Sequence, residues 1–272
     1  MQKCSDKRSS LSDAIGLVSD GDRVALGGMT LYRRPVAAAL ALVAAKRCDL
    51  EIVSFTAGIE TDLLIGAGCV KSLRCCYAGL EIVGFAPHYT RALQQSTLLA
   101  YEETEYTMSY AFQAAAMHVP FLPMLGDLAR TDILSVRPDL KLFDCPLTGK
   151  KLIAVPSLEM DVAIIHATAA DRFGNCNLQG QLALDRILPS ISTRTIITAE
   201  KIVETEALMA MPGGIQVPGI FVTCVVEAPR GSLPTSCYPE QRLDLTKVLD
   251  YAEAAADPQA WPGWLAQAIG EI

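Results

Sequence analysis

One stretch near the beginning of the chain combines a strand, a glycine turn and a helix start: Val24-Ala25-Leu26-Gly27-Gly28-Met29-Thr30-Leu31-Tyr32-Arg33-Arg34-Pro35-Val36. Glycine lets backbone N–H groups approach a ligand closely, because it has no Cβ. Proline at a helix start presets φ and loses no helical hydrogen bond. This order of elements is typical of an α/β fold, and its turn is a common anion or oxyanion site.

Strands and helices alternate along the rest of the chain. Apolar strands are predicted at 23–26, 49–55, 73–77, 98–101, 152–155, 162–167, 195–199 and 217–227, with helices at 35–45, 62–67, 87–99, 107–118 and 245–256. Such alternation predicts an α/β fold with an open, mostly parallel sheet and helices on both faces. We expect the polar, turn-rich residues 126–149 to cross the surface. With no internal repeat or linker in the sequence, we expect a single domain over residues 1–272.

Composition narrows the classes of partner. Of 272 residues, 51% are hydrophobic, which is enough for a sizeable core. The longest apolar run, 36–45, is followed by two basic residues and is too short to span a bilayer, so we expect no membrane contact. The net charge of −7 and the lack of a basic stripe argue against nucleic acid. The first eight residues lead into no apolar segment, so we expect no secretory signal and a cytoplasmic protein.

Several kinds of cofactor site have no motif in the sequence. Nine cysteines are scattered without a C-x-x-C pair, which indicates reduced thiols, mostly in the core, rather than a zinc site. There is no G-x-G-x-x-G, no phosphate-binding P-loop and no G-x-S-x-G. We therefore expect no metal and no permanently bound cofactor.

The two arginines of the opening stretch are the first candidates for a binding role. Arg33 and Arg34 precede a helix N-terminus, where the helix dipole disfavours cations. A basic pair placed against that preference indicates an anionic partner. The alternative is a glycine turn that serves packing alone.

A second candidate is the acidic run before the helix at 107–118. Glu102 and Glu103 are ordinary residues for a helix N-terminus. Glu105 precedes Met108 and Phe112 near helical spacing, so we expect it to turn inward. A carboxylate in such a place is either paired or functional.

A third candidate is the turn Asp171-Arg172-Phe173-Gly174-Asn175. It follows the strand at 162–167, and open α/β sheets bind ligands at the carboxyl ends of their strands. A purely structural turn is the alternative. His166 ends the same strand and is interpreted as a core histidine with satisfied hydrogen bonds.

Taken together, these segments resemble the A (alpha) subunit of class I coenzyme A transferases of the glutaconate CoA-transferase type. The resemblance runs over about residues 11–238 and is specific through the order and spacing of its segments. The matching segments are 27–35, 62–71, 114–123, 170–175, 199–203, 217–219 and 234–238.

The resemblance implies a NagB/RpiA-like fold and a reaction that moves CoA from an acyl-CoA to a carboxylic acid. The thioester is attacked by a glutamate that belongs to the partner, the B (beta) subunit. The CoA thioester is thus a substrate rather than a resident cofactor. Glu60 lies after a strand and Gly58 in a comparable place, but the expected Glu-x-Gly setting is missing. We interpret Glu60 as a relic of the likeness between the two subunits or as a surface residue.

Steroid-degrading relatives of the same family hydrolyse a carbon–carbon bond, and their A subunit contributes a glutamate at the position of Glu105. The Gly-Gly and Arg-Arg-Pro loop also suits that branch. The prediction is the A subunit of a CoA-transferase, with Glu105 as the catalytic carboxylate. Its substrate-binding residues are Gly27, Gly28, Arg33, Asp171 and Asn175. The alternatives are the corresponding subunit of a ring-cleaving hydrolase and a non-catalytic binding protein that retains the fold.

Overall fold

The computed structural model describes residues 5–272, and this part of the chain contains twelve strands and nine α-helices. The strands are β1 (Arg23–Leu26), β2 (Leu50–Ala57), β3 (Val70–Ala78), β4 (Leu99–Glu102), β5 (Phe121–Leu125), β6 (Lys141–Asp144), β7 (Lys151–Pro156), β8 (Met160–Ala167), β9 (Ala169–Ala170), β10 (Cys176–Asn177), β11 (Ser192–Ala199) and β12 (Cys224–Glu227). The helices are α1 (Leu11–Ile15), α2 (Val36–Ala44), α3 (Ile59–Gly66), α4 (Pro87–Gln94), α5 (Glu105–Ala116), α6 (Ile133–Val136), α7 (Thr205–Ala210), α8 (Leu245–Ala256) and α9 (Trp261–Gly270).

Seven strands form one parallel sheet in the order β12-β11-β8-β1-β2-β3-β4. The chain runs outward from β1 through β4, then returns to β8 and runs outward the other way. Val24 of β1 therefore pairs with Ile52 on one side and with Val162 on the other. The direction of the strand order reverses between β1 and β8, and in open α/β sheets the crevice at such a point is the usual ligand site. The opening loop follows β1 at this crevice.

Both faces of the sheet are covered, and alternate residues of each strand enter different cores. Val24 and Leu26 pack under α1, α2, α3, α4, α8 and α9, whereas Ala25 belongs to the opposite core. That second core is covered by α5, α6 and a small antiparallel sheet of order β5-β7-β6. The predicted α/β fold with a parallel sheet and helices on both faces is confirmed.

The small sheet corrects two expectations. Residues 126–149 do more than cross the surface, since β6 within them pairs with β7. The strand predicted at 152–155 belongs to this antiparallel sheet and not to the parallel one. Pro123 is tolerated in β5 because β5 is an edge strand of this sheet.

The C-terminal part also differs from expectation. The strand predicted at 217–227 shortens to β12, because Pro218 and a 3₁₀ turn at Gly219–Phe221 interrupt it. Helix α8 has the predicted bounds and begins at the Asp244 cap. Helix α9 was not predicted.

Two further observations bear on the sequence predictions. None of the helices described in residues 5–272 is long and apolar enough to cross a bilayer. The eight cysteines of this part of the chain are free thiols, and five of them are buried. Residues 1–4, with Cys4 and half of the segment tested for a secretory signal, lie outside the described residues.

Candidate active site at the carboxyl edge of the sheet

The turn after β1 needs its second glycine for a backbone reason. Gly28 has φ +85°, and a Cβ there would lie 2.5 Å from the carbonyl oxygens of Tyr32 and Arg33. Met29 and Tyr32 close the turn with reciprocal backbone hydrogen bonds of 2.8 and 2.7 Å. The close approach that the glycine permits is therefore to the loop's own backbone.

The anionic partner of Arg33 lies within the chain. Arg33 is fully buried and donates to an Asp185 carboxylate oxygen at 2.9 Å and to the His166 carbonyl at 3.0 Å. The same carboxylate accepts the Gly28 N–H at 2.8 Å. The anion predicted at this turn is present, but it is Asp185 of the same chain and not a separate partner. Sequence reasoning missed Asp185 because 152 residues separate it from Arg33.

The second arginine is buried in the same manner. Arg34 forms an ion pair with Glu60, and it donates to the Ser54 hydroxyl at 2.8 Å and to the Thr56 carbonyl at 3.3 Å. Glu60 is fully buried in the first turn of α3, so of its two interpretations from the sequence, the surface residue is wrong. Its other carboxylate oxygen has no hydrogen-bond partner among residues 5–272.

The inward carboxylate before α5 is Glu103 and not Glu105. Glu103 is buried and lies 2.7 Å from both Arg74 and Arg137, and it accepts the Thr107 hydroxyl. Glu105 is exposed. In the first turn of α5, Glu105 and Tyr106 lie on the solvent side, whereas Thr107 and Met108 are buried. The expectation that Glu105 turns inward is therefore wrong.

The turn at 171–175 is built from hydrogen bonds within the chain. One Asp171 oxygen accepts the N–H groups of Phe173 and Asn175 at 2.9 and 3.0 Å. The other accepts from the Asn175 amide at 2.7 Å and the Thr205 hydroxyl at 2.8 Å. The Asn175 side-chain oxygen accepts the Gly219 N–H at 2.8 Å. This geometry favours the structural alternative for Asp171 and Asn175.

A buried polar group lies beside the crevice at the ends of β8 and β11. The His166 ring nitrogens lie 2.9 Å from the Thr198 hydroxyl and 2.9 Å from a Glu200 oxygen. Burial lowers the pKa of His166. Burial alone would raise the pKa of Glu200. Hydrogen bonds from His166 and the Arg230 N–H outweigh this effect and leave the pKa of Glu200 below its usual range. His166 is thus a satisfied core histidine, as predicted.

Cys237 completes a compact set with His166 and Glu200, with one nitrogen, one oxygen and one sulfur atom all within 4.8 Å of one another. Zinc binds donors of these three kinds, but it binds cysteine only as the deprotonated thiolate. Burial raises the pKa of Cys237 to about 12, and its sulfur lies 3.9 Å from the Thr168 hydroxyl. The sequence spacing did not reveal this set, because its three members come from separate segments of the chain.

Comparison with known proteins identifies the family. Residues 8–228 match the family described as Coenzyme A transferase. The chain belongs to the coenzyme A transferase family. It is 32% identical over 255 residues to the A subunit of 3-oxoadipate CoA-transferase from Pseudomonas knackmussii, covering 93% of this chain and 89% of that one.

Two further relatives represent the two activities considered from the sequence. The crystal structure of glutaconate coenzyme A-transferase from Acidaminococcus fermentans superposes with a TM-score of 0.91 and 28% identity, over 98% of this chain and 89% of that one. The cholesterol ring-cleaving hydrolase IpdA subunit of Rhodococcus jostii is 30% identical over 270 residues, covering 96% of this chain and 91% of that one. The resemblance stated from the sequence is confirmed, and the transferase reading is favoured over the alternatives.

Proposed function

We propose that this chain is the A subunit of a two-subunit CoA-transferase that moves CoA between an acyl-CoA and a small or medium carboxylic acid. The observation that carries the proposal is the near-complete superposition on glutaconate CoA-transferase, at a TM-score of 0.91. The match to the A subunit of 3-oxoadipate CoA-transferase, over 93% of this chain, supports the same assignment and a partner B subunit.

The carboxylates at the carboxyl edge support placing the nucleophile on the partner. An attacking carboxylate must be able to reach the thioester carbonyl, and a carboxylate held in a buried ion pair is not free to do so. Glu60 is buried against Arg34, and Glu103 is buried between two arginines. Glu200 is held by His166 and by the Arg230 backbone. These three are unsuited to attack a thioester, and the B subunit would supply the reactive glutamate.

Glu105 is the carboxylate of this chain that we assign to the shared active site. It is exposed at the carboxyl edge and begins α5, where the helix dipole stabilises its negative charge. Such a group can orient the acid or exchange a proton with the reacting acyl group. Gly27, Gly28 and Arg33 would then act indirectly, by fixing the conformation of the loop after β1.

The substrates follow from the same assignment. The CoA thioester is a substrate, and no resident cofactor is part of the proposal. A net charge of −7 does not attract polyanionic CoA, so we assign most of the contact with CoA to the partner.

A substitution at Glu105 tests this function in the complex with the co-expressed partner. We expect Glu105→Gln to lower kcat about 100-fold or more, because it removes a proton acceptor placed at the reacting group. Exchange of CoA between an acyl-CoA and a free acid is the measurement.

The matched control is Glu102→Gln, which changes an equally exposed carboxylate at the end of β4. It should leave kcat within about twofold. Near-normal turnover of the Glu105 variant would remove that residue from the mechanism. Absence of exchange in the wild-type complex would contradict the transferase itself.

A ring-cleaving hydrolase is the second candidate, supported by 30% identity over 96% of this chain to the IpdA subunit. The two activities differ in their need for an acceptor acid. Product that accumulates from a ring-bearing CoA thioester without any acceptor would favour the hydrolase. A complex inactive in both assays would favour the non-catalytic binding protein.

A further inference from the structure

A buried network of charged side chains joins the segment before β6 to the start of α5. Its centre is Arg137, which directly follows α6 and is 2% exposed. The contacts of this network reach residues 102, 103 and 107, which lie on both sides of Glu105. The network therefore surrounds the backbone that carries the proposed catalytic carboxylate.

Arg137 uses its guanidinium in two directions. Its Nε and Nη2 donate to the two carboxylate oxygens of Asp139 at 2.8 and 2.7 Å. Its Nη1 donates to the Glu102 carbonyl at 2.8 Å and lies 2.7 Å from a Glu103 oxygen. A planar guanidinium can make these directed contacts at the same time, whereas the ammonium group of a lysine cannot. Arg137 thus holds both the backbone at the end of β4 and the carboxylate that follows it.

The Glu103 carboxylate continues the network into the helix. Its second oxygen accepts the Thr107 hydroxyl. The same hydroxyl accepts the Thr104 N–H at 2.9 Å, and the Thr107 N–H donates to the Thr104 hydroxyl at 3.0 Å, which completes a capping box. Glu105 lies between these two threonines, so its backbone is held on both sides.

A second arginine makes the contact at Glu102 separable from the charge of Glu103. Arg74 Nη1 lies 2.7 Å from a Glu103 oxygen, and the Arg74 guanidinium lies 4.3 Å from the centre of the Tyr101 ring. Glu103 therefore keeps a counter-charge when Arg137 is replaced. Loss of Arg137 removes the contact with the Glu102 backbone without leaving a buried carboxylate unpaired.

The segment that carries Arg137 is held by its own packing. The Arg137 N–H donates to the Ile133 carbonyl at 2.8 Å, and its carbonyl accepts the Leu140 N–H at 3.1 Å. Ile133 and Leu140 are buried in the core beneath α5, and β6 then pairs with β7 in the small sheet. The small sheet and α6 thus fix the place from which the arginine reaches the start of α5.

We infer that Arg137 is a positioning residue: by holding the chain at 102–107, it sets the direction in which Glu105 meets the substrate. The inference rests on the proposed function, in which Glu105 acts at the reacting acyl group. A shift of about 1 Å in a reacting group can cost a factor of about 100 in rate. The small sheet, which contributes no residue to the proposed site, then supports catalysis through this arginine.

The variant Arg137→Gln tests the inference in the complex with the co-expressed partner. We expect kcat to fall about tenfold, with each KM within about twofold, because the orientation of Glu105 changes and substrate binding does not. Arg137→Lys keeps the charge but not the directed contacts, so its kcat should lie between those of the wild type and Arg137→Gln.

The matched control is Arg194→Gln. Arg194 also pairs with a carboxylate, that of Asp22 at 2.9 Å, and also donates to a backbone carbonyl. It lies near the start of β11, at the opposite edge of the sheet from Glu105. This variant should leave kcat within about twofold of the wild type.

A double-mutant cycle distinguishes positioning of Glu105 from a general structural role. In the Glu105→Gln background, Arg137→Gln should lower kcat less than about twofold, because the carboxylate that it positions is already gone. Additive effects of the two substitutions would overturn the inference and leave Glu105 in the mechanism. A normal kcat for Glu105→Gln would instead count against the proposed role of Glu105, and against the inference with it.

Hydrogen exchange of the same complexes gives a readout that needs no turnover. Arg137→Gln should raise deuterium uptake in the segment 102–110, and Arg194→Gln should not. Unchanged uptake there in Arg137→Gln would overturn the inference. If Arg137→Gln does not assemble with the partner, the cycle and the uptake measurement are made with Arg137→Lys, for which the same outcomes decide.

Discussion

Arg33 and Asp185 form an ion pair with almost no exposure to solvent, and each side chain also holds backbone groups. Burying either charge alone would be costly, since the desolvation of a single ion is not recovered. Arg33 also has φ +48°, a conformation that few non-glycine residues adopt. The surrounding contacts must therefore enforce the local geometry, which identifies the pair as a structural centre of the crevice.

Removing one charge of this pair should destabilise the protein strongly. Asp185→Asn leaves Arg33 buried without a counter-charge, so we expect the free energy of unfolding to fall by about 3–5 kcal/mol. Urea denaturation of the purified chain measures the change. Asp144→Asn, in the exposed pair with Lys151, is the control and should cost less than about 1 kcal/mol.

The double variant Arg33→Met with Asp185→Leu distinguishes a charge effect from loss of packing. It removes both ions, so it should recover part of the stability lost in Asp185→Asn. A double variant less stable than the single one would assign the cost to the shape of the site rather than to its charges.

At this scale, sequence reasoning identified the type of contact better than the partner. The dipole argument predicted an anion beside Arg33, but no local pattern points to Asp185, which arrives from a distant segment. Helical spacing favoured Glu105 as the inward carboxylate. It could not show that Glu105 lies on the solvent side of the first turn of α5, while Glu103 before the helix pairs with Arg74 and Arg137.

At the scale of elements, α3, α4 and α8 meet around a buried carboxylate. Asp62 of α3 accepts the Tyr251 hydroxyl at 2.6 Å and the Tyr89 N–H at 2.7 Å. Burial raises the pKa of Asp62 to about 6, despite these hydrogen bonds. His88 of α4 is also buried here, and burial lowers its pKa to about 4.

Asp62 should make the protein more stable in mild acid. Its pKa is higher in the folded state, so the folded state binds the proton more tightly between about pH 6 and pH 4. Relative to Asp62→Asn, the wild type should gain about 2 to 3 kcal/mol of unfolding free energy as the pH falls through that window. Urea denaturation at several pH values measures this.

His88 provides a contrast with the opposite sign. Its pKa is lowered on folding, so acidification from about pH 6.5 to pH 4 favours the unfolded state. Relative to His88→Gln, the wild type should therefore lose stability over that range. If acidification changed the stability of the wild type in the same direction relative to both variants, the assignment of the two protonation states would be wrong.

Elements with strong periodicity or clear caps were predictable from the sequence. β1 and α8 have the predicted bounds, and Asp244 caps α8. The small sheet was not predictable, because its prolines resemble breaks and its antiparallel partners come from separate segments. The strand predicted at 217–227 was too long, because its apolar residues continue through a turn.

At the scale of the whole molecule, the C-terminal helices complete the core beyond residue 228, where the match to the family ends. The Trp261 ring lies 4.2 Å from His88 and stacks on Trp264 at 5.6 Å. Its indole N–H donates to the Gly66 carbonyl at 3.1 Å. Helix α9 thus contacts α3 and α4, the two helices that connect β2, β3 and β4.

Truncating this anchor should weaken the entire fold and not only its tail. We expect Trp261→Ala to cost about 3–5 kcal/mol, since a large buried ring leaves a cavity. Unfolding should remain a single transition by tryptophan fluorescence and by far-ultraviolet circular dichroism. Trp264→Ala, which removes a less buried ring, should cost less. An early separate transition of the tail would contradict this prediction.

The pairing of β1 with β8 also constrains how the protein is made. Val24 must wait for Val162, which the ribosome adds 138 residues later. At about 5–20 residues per second, that interval lasts roughly 7 to 28 seconds. During it, β1 to β4 can assemble as a half-sheet whose inner edge is apolar and open to other chains. Strand β1 is therefore central in the complete sheet but an exposed edge strand during synthesis. We expect the need for chaperones to be greatest during that interval.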